Sequence, residues 1–179
     1  MAEGLRAGDR AALEEAYRRH AEVVYRMALR LLGNAQDASD VLQDTFVIAW
    51  EKAHTFRGES SLRTWLVRIG LNACYRMLRR RGKRAPLEAA ATMPAAGAGA
   101  DPAGEAERMR LREALERAME TLPSEWRAVL VLRDALGFSY EEMSEALQCP
   151  LGTVRSRLFR ARSALRDRMT AQGEDWSKP

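Results

Sequence analysis

The residues best suited to chemistry in this sequence are arginines. The stretch Gly152–Arg162, GTVRSRLFRAR, places four of them in eleven positions. A guanidinium is a planar, permanently charged fork that clamps phosphate and pairs bidentately with a guanine edge. Phe159 stands among them, and an exposed ring there can contact a thymine methyl. Residues 151–170 hold six arginines and one aspartate, a mixture that suits a polyanion better than it suits solubility alone. Arg155, Ser156, Phe159 and Arg160 lie in the first turns of this segment and are the candidate base readers. Arg162 and Arg166 lie further along and suit phosphate.

Two other constellations carry charge. The run Arg76–Arg84, RMLRRRGKR, has six basic residues in nine and no acid, so Arg76, Arg79 and Arg80 are candidates for nucleic-acid phosphate. Just upstream, HTFRGESS breaks the helical pattern and carries His54, Phe56 and Arg57. Polar and aromatic side chains on a loop beside a basic helix suit a single-stranded or flipped base. The opposite charge appears in DASDVLQDTFVIAWEK, where Asp37, Asp40 and Asp44 share one helical face beside Gln43. That face is either solvated surface or a docking surface for a basic partner.

Catalytic and metal chemistry find little support. The two histidines are far apart: His20 falls on an inward stripe, and His54 has no Cys or carboxylate cluster at metal spacing. No phosphate-cradling glycine loop appears. We therefore expect no catalytic residue, no metal and no cofactor. Cys74 and Cys149 are too few and too distant for a disulfide framework. They read as packing or turn residues in a reducing cytoplasm. No apolar run approaches the roughly 20 residues needed to cross a bilayer, and MAEGLRAGDR has no signal-peptide character.

The elements that must position these residues are helical. In 9–32 the residues Leu13, Tyr17, His20, Val24, Met27 and Leu31 recur at steps of three and four, with Asp9 as N-cap and Gly33 as stop. A second helix is expected over 35–53, with Val41, Leu42, Phe46, Ala49 and Trp50 inward. A third runs from a Ser60 or Ser61 cap to about 81, with Leu62, Trp65, Leu66, Ile69, Ala73 and Met77 inward. Residues 83–107, rich in Ala, Gly and Pro, read as a flexible linker. Beyond it Leu111, Leu115, Ala118 and Leu122 form a stripe, and another helix starts at 124. Ser139 with Glu142 makes a capping box on a short helix, QCPLG is a tight turn, and a final helix runs to about Met169. On that last helix Val154, Leu158, Ala161, Leu165 and Met169 make one docking stripe, at about 100° per residue, and leave the arginines outside. Two short helices joined by a turn, the second basic, spell a helix-turn-helix. The expectation is an all-α chain of two small helical domains: 1–82, a helical bundle; 83–107, linker; 108–170, the helix-turn-helix domain; 171–179, a tail.

These motifs in this order resemble an extracytoplasmic-function (ECF) sigma factor of the sigma-70 family. The resemblance rests on DASDVLQDTFVIAW, FRGESSLRTWLVRIGLN, LPSEWRAVLVLRDALGFSYEEMSEAL and GTVRSRLFRARSAL, and covers roughly 10–82 and 108–170. It implies a sigma2 domain whose second helix, through Asp40, Gln43, Asp44 and Trp50, binds the β′ clamp helices of core RNA polymerase. It implies a loop, His54–Ser61, that captures a flipped -10 base, and a -10 reading segment from Asn72 into the basic helix. The sigma4 domain would read the -35 element through Arg155, Ser156, Phe159 and Arg160. The β subunit, promoter DNA and an anti-sigma factor are the further partners it implies. The last would hold the chain at the inner membrane where it is membrane-bound. Two departures stand out: Arg76 where many members carry Asp, and Gln148 where the turn often has Gly. The competing readings are an ordinary regulator using only the helix-turn-helix, and an enzyme.

Overall fold

The computed structural model describes residues 2–81 and 102–171, and among these no strand occurs. The helices are α1 (Ala2–Arg6), α2 (Arg10–Leu32), α3 (Ala35–Glu51), α4 (Leu62–Arg81), α5 (Pro102–Glu120), α6 (Ser124–Leu130), α7 (Tyr140–Leu147) and α8 (Leu151–Ala171). A 3-10 turn, Ala53–Thr55, follows α3, and a π-helical turn, Val131–Ala135, extends α6.

In the N-terminal half α2, α3 and α4 pack on one another, with the short α1 against α2. Asp9 caps α2 by accepting from the Ala11 amide, and Gly33 ends it with φ of 67°, a backbone geometry that favours glycine. Asn34 caps α3 through the Asp37 amide. Ser61 Oγ accepts from the Thr64 amide at 3.0 Å at the start of α4. Gly70 lets α4 approach α2: a Cβ there would lie 2.8 Å from Met27 Cε and 3.2 Å from Thr45 Oγ1. In the C-terminal half α8 packs on α5, α6 and α7. The capping box of Ser139 and Glu142 is present in both directions. Gln148, the residue ending α7, is left-handed at φ 52°, a geometry that favours glycine and strains a side chain.

The two halves are pressed together. One continuous apolar cluster runs from Met27, Leu31, Val67 and Leu71 to Leu132, Phe138, Met143 and Leu158. Polar clasps frame it. Arg63 of α4 donates to the Leu136 carbonyl at 2.8 Å, lies 4.0 Å over the buried Phe138 ring, and comes within 3.9 Å of Glu142. Arg127 of α6 reaches back to the Leu31 carbonyl at 2.8 Å, satisfying an orphan acceptor at the end of α2, and also donates to the Glu120 and Leu122 carbonyls.

The structure departs from the sequence expectations at definite places. Residues 102–107, expected in the linker, are helical: Pro102 occupies a first-turn position that needs no N–H, and Glu, Arg and Ala follow. The rest of that linker, 83–101, and most of the tail, 172–179, lie outside the described residues. Tyr17 is 48% exposed and Leu111 40%, so neither belongs to the core. Their helices bury Ala12 and Ala16, and Ala114 and Ala118, instead. Trp50 is 38% exposed rather than inward, and Ile69 and Met77 are only half-buried.

Candidate nucleic-acid interface

The helix α8 is held by its stripe. Val154, Leu158, Ala161, Leu165 and Met169 are all buried against the rest of the C-terminal half. That anchoring turns the other side outward. Arg155, Ser156, Arg160 and Arg162 are exposed, and Phe159 is 76% exposed, more than any other large apolar side chain described. A ring so far out leaves its face free for an apolar contact. Ser156 Oγ donates to the Thr153 carbonyl at 3.0 Å and retains acceptor capacity. Tyr140, at the start of α7, lies under two guanidinium groups, Arg133 at 5.0 Å and Arg155 at 5.7 Å from its ring centre. Arg162 is not free: it pairs with Asp134 on the π-helical turn. That hydrogen bond pushes Arg162 up from its ordinary value, against a smaller opposing effect of burial.

The basic end of α4 divides in two. Asn72, Arg76, Arg79 and Arg80 are exposed and remain candidates for an anionic strand. Arg81 forms an ion pair with Asp37 and donates to the Leu32 carbonyl at 2.9 Å, so it ties α4 to α2 and α3. Asp37 thereby leaves the acidic face. Asp40, Gln43 and Asp44 stay exposed along α3, continued by Val47 and Trp50. Gln36 Nε2 donates to Asp40 at 3.2 Å.

The loop after α3 corrects one expectation. Phe56 is buried, its ring 5.1 Å from that of Trp65. It packs the loop onto the bundle and offers no face to a base. His54 and Arg57 remain exposed around it. A single aromatic flanked by polar residues reads equally as a ligand or as the plug of its own loop, and only the position of Trp65 decides.

Other titratable groups are structural. Cys74 is buried, and that burial pushes its thiol up to about 12, so it is neither a nucleophile nor a ready thiolate. His20 is half-buried and held below its ordinary value of 6.5, first by desolvation and then by Arg63 and Arg19. Among the described residues no cluster of three or more His, Cys, Asp or Glu side chains could hold a metal, and no helix is long and apolar enough to cross a membrane.

The residues that sequence reasoning missed are Asp134, Tyr140, Arg63 and Arg127. Each acts across many positions, up to 96 for Arg127 and Leu31, and no local pattern announces such a pair.

Comparison with known proteins identifies the family. Residues 16–84 match the family model for sigma-70 region 2, and residues 112–165 match that for sigma-70 region 4. The RNA polymerase sigma-H factor of Pseudomonas aeruginosa is 35% identical over 173 residues, covering 92% of this chain and 90% of that protein. The ECF RNA polymerase sigma factor SigE of Mycolicibacterium smegmatis is 41% identical over 165 residues, 89% of this chain and 63% of that one. Among solved structures, the sigma factor RpoE of Bartonella quintana, in complex with the anti-sigma factor NepR, superposes with a TM-score of 0.71 at 28% identity, covering 88% of this chain and 96% of that one. CnrH, in complex with the cytosolic domain of CnrY, gives 0.68 at 29% identity over 95% of each chain. Two family models in the right order, on two helical domains that each turn arginines outward, place the chain in the ECF group of the sigma-70 family: it is an alternative sigma factor for transcription initiation.

Proposed function

We propose that α8 reads a promoter -35 element. The observation that carries this reading is Phe159, 76% exposed between Arg155 and Arg160 on a helix whose opposite stripe is wholly buried. Arg155 and Arg160 supply bidentate pairing, Ser156 a short acceptor, and Phe159 an apolar contact for a thymine methyl. On the N-terminal domain, Asn72, Arg76, Arg79 and Arg80 face the -10 element, with His54 and Arg57 at the loop. Phe56, being buried, is withdrawn from that set. The α3 face of Asp40, Gln43 and Asp44, bordered by Trp50, docks on the β′ clamp helices, and the C-terminal domain meets the β subunit. The domain limits are 1–82 and 108–170, the second preceded by helix from 102.

The chain supplies recognition and melting and no catalytic step of its own. It works in the cytoplasm. An anti-sigma factor is its regulatory partner, by analogy with the complexes of RpoE with NepR and CnrH with CnrY, and a membrane-bound one would hold it at the inner membrane.

Reconstitution tests the whole reading. Core polymerase plus this chain should initiate from members of a genomic promoter pool, and initiation from none of them would overturn it. Charge reversal at Asp40 and Asp44 should abolish retention on core polymerase. Arg160→Ala should weaken a -35 duplex by about 1–3 kcal/mol and relax its sequence preference. An equal loss on every sequence would make Arg160 a phosphate contact instead.

A further inference from the structure

Asp134 stands in the π-helical turn, Val131–Ala135, that extends the C-terminal end of α6. Such turns re-aim the side chains they carry and recur at functional sites. Here the turn aims a carboxylate at α8. Arg162 donates to Asp134 through Nη2 at 2.5 Å and through Nε at 3.4 Å, a two-pronged pairing across 28 positions. Both side chains remain about half exposed, 50% and 45%. The pair lies beside an open cavity of about 440 Å³ lined by Tyr140, Arg155, Phe159, Arg162 and Arg166 among others. Three guanidinium groups thus line one groove, Tyr140 forms part of its wall, and Asp134 is the acid paired to Arg162 at its edge. A carboxylate gripped by a guanidinium fork presents two oxygens much as a phosphodiester does.

We propose that this groove seats the DNA backbone beside the bases that α8 reads, and that Asp134 is a built-in stand-in for phosphate. In the free protein Asp134 occupies Arg162; on DNA a backbone phosphate displaces it. The inference rests on the proposed reading of α8. Its consequence is a damped affinity. The exchange trades one ion pair for another, so Arg162 gains less from a phosphate than an unpaired arginine would. The cost is met in full wherever the phosphate displaces Asp134, and only in part where a loosely held duplex leaves the pair closed. Asp134 therefore lowers affinity for the right site at least as much as affinity for random DNA.

The test uses the full chain and two probes: a random-sequence 30-bp duplex, and a 30-bp duplex enriched by the wild-type chain from a random pool. Affinity is measured across a potassium chloride series. Asp134→Asn should tighten the enriched duplex by about two- to fivefold, the fold-change that corresponds to an exposed ion pair, and the random duplex by no more than that. Arg162→Ala should weaken the enriched duplex and reduce its salt slope by about 0.9, one phosphate contact. In the Arg162→Ala background, Asp134→Asn should change nothing. Glu141→Gln, which removes an exposed acid on α7, controls for net charge. Arg162→Lys keeps the charge without the fork and should retain the slope, whatever Arg162→Ala does to folding. The proposal is overturned if Asp134→Asn acts no differently from Glu141→Gln, if its effect survives without Arg162, or if the slope ignores Arg162. If Arg155→Ala and Arg160→Ala are also silent, it is the reading of α8 that fails. If they weaken binding while Asp134 and Arg162 do not, only the stand-in fails.

Discussion

Arg63 offers the sharpest test of how the two domains are joined. It makes a charged hydrogen bond to the Leu136 carbonyl, worth about 1.5–3 kcal/mol in a protein. It lies over the fully buried Phe138 ring, worth up to about 2 kcal/mol when desolvated. Its approach to Glu142 at 3.9 Å adds little, because both side chains remain about a third exposed, 32% and 34%. The contributions share one guanidinium and do not add. We expect Arg63→Ala to lower unfolding free energy by about 2–3 kcal/mol, or roughly 4–12 °C in Tm for a chain of this length. The decisive measurement is a double-mutant cycle with Phe138→Leu, which keeps apolar bulk and removes the ring. Urea unfolding followed by tryptophan fluorescence and by circular dichroism, with coincident transitions, should give a coupling of about 1–2 kcal/mol, typical of residues in contact. Coupling within about 0.3 kcal/mol of zero would mean that Arg63 and Phe138 do not meet in solution, and the joined arrangement would be refuted.

Further expectations concern single residues. Arg81→Ala should lower Tm by about 2–4 °C, because it removes a half-exposed ion pair with Asp37 and the bond to Leu32, together about 1 kcal/mol. Arg79→Ala, at an exposed position, should leave Tm unchanged and instead reduce the salt slope of DNA binding by about 0.9. Gln148→Gly should raise stability by about 0.5–1 kcal/mol in a thermal melt, because the left-handed backbone at φ 52° strains any side chain. The folded chain binds a proton at His20 more weakly than the unfolded chain does, so stability falls as pH drops through 6.5 toward the lowered folded value. His20→Gln should flatten that acid-side decline in a series of melts between pH 7.5 and 5, and an unchanged profile would remove His20 as its cause.

Periodicity made much of the fold legible. The stripe Val154, Leu158, Ala161, Leu165 and Met169 is readable because a helix buried on one side must repeat every three or four residues, and all five are buried. Asp9, Gly33, Ser139 and Glu142 were equally readable, because caps are local chemistry. The errors arose where the answer lay in another element. Tyr17 fits its helical stripe, yet its ring packs edge-on against Phe46 at 4.9 Å and stays half in solvent. Phe56 in its loop could be plug or ligand until Trp65 is seen beneath it. Arg162 looked like a free phosphate clamp because Asp134 is 28 positions away. Charge on a helix face shows what it could bind, whereas its present partner is a fact of packing.

The joined domains bear directly on the proposed function. If α8 reads -35 and α4 reads -10, the two surfaces must act on elements about 25 base pairs apart, or about 85 Å at 3.4 Å per base pair. A closed body of some 150 residues has a radius of gyration near 15 Å and a diameter near 40 Å. The arrangement clasped by Arg63 and Arg127 therefore cannot engage both elements at once. Twenty residues separate Arg81 from Pro102, and a chain of that length reaches at most about 66–72 Å. With the breadth of the two domains added, that covers the span. Promoter reading then requires breaking the apolar contact from Met27 to Phe138 together with its two arginine clasps. Interactions that hold the domains apart must exceed what joins them. The closed chain already leaves the α3 acidic face and Arg155, Arg160 and Arg166 of α8 exposed, so a partner can dock on either domain first and draw the separation from its own binding.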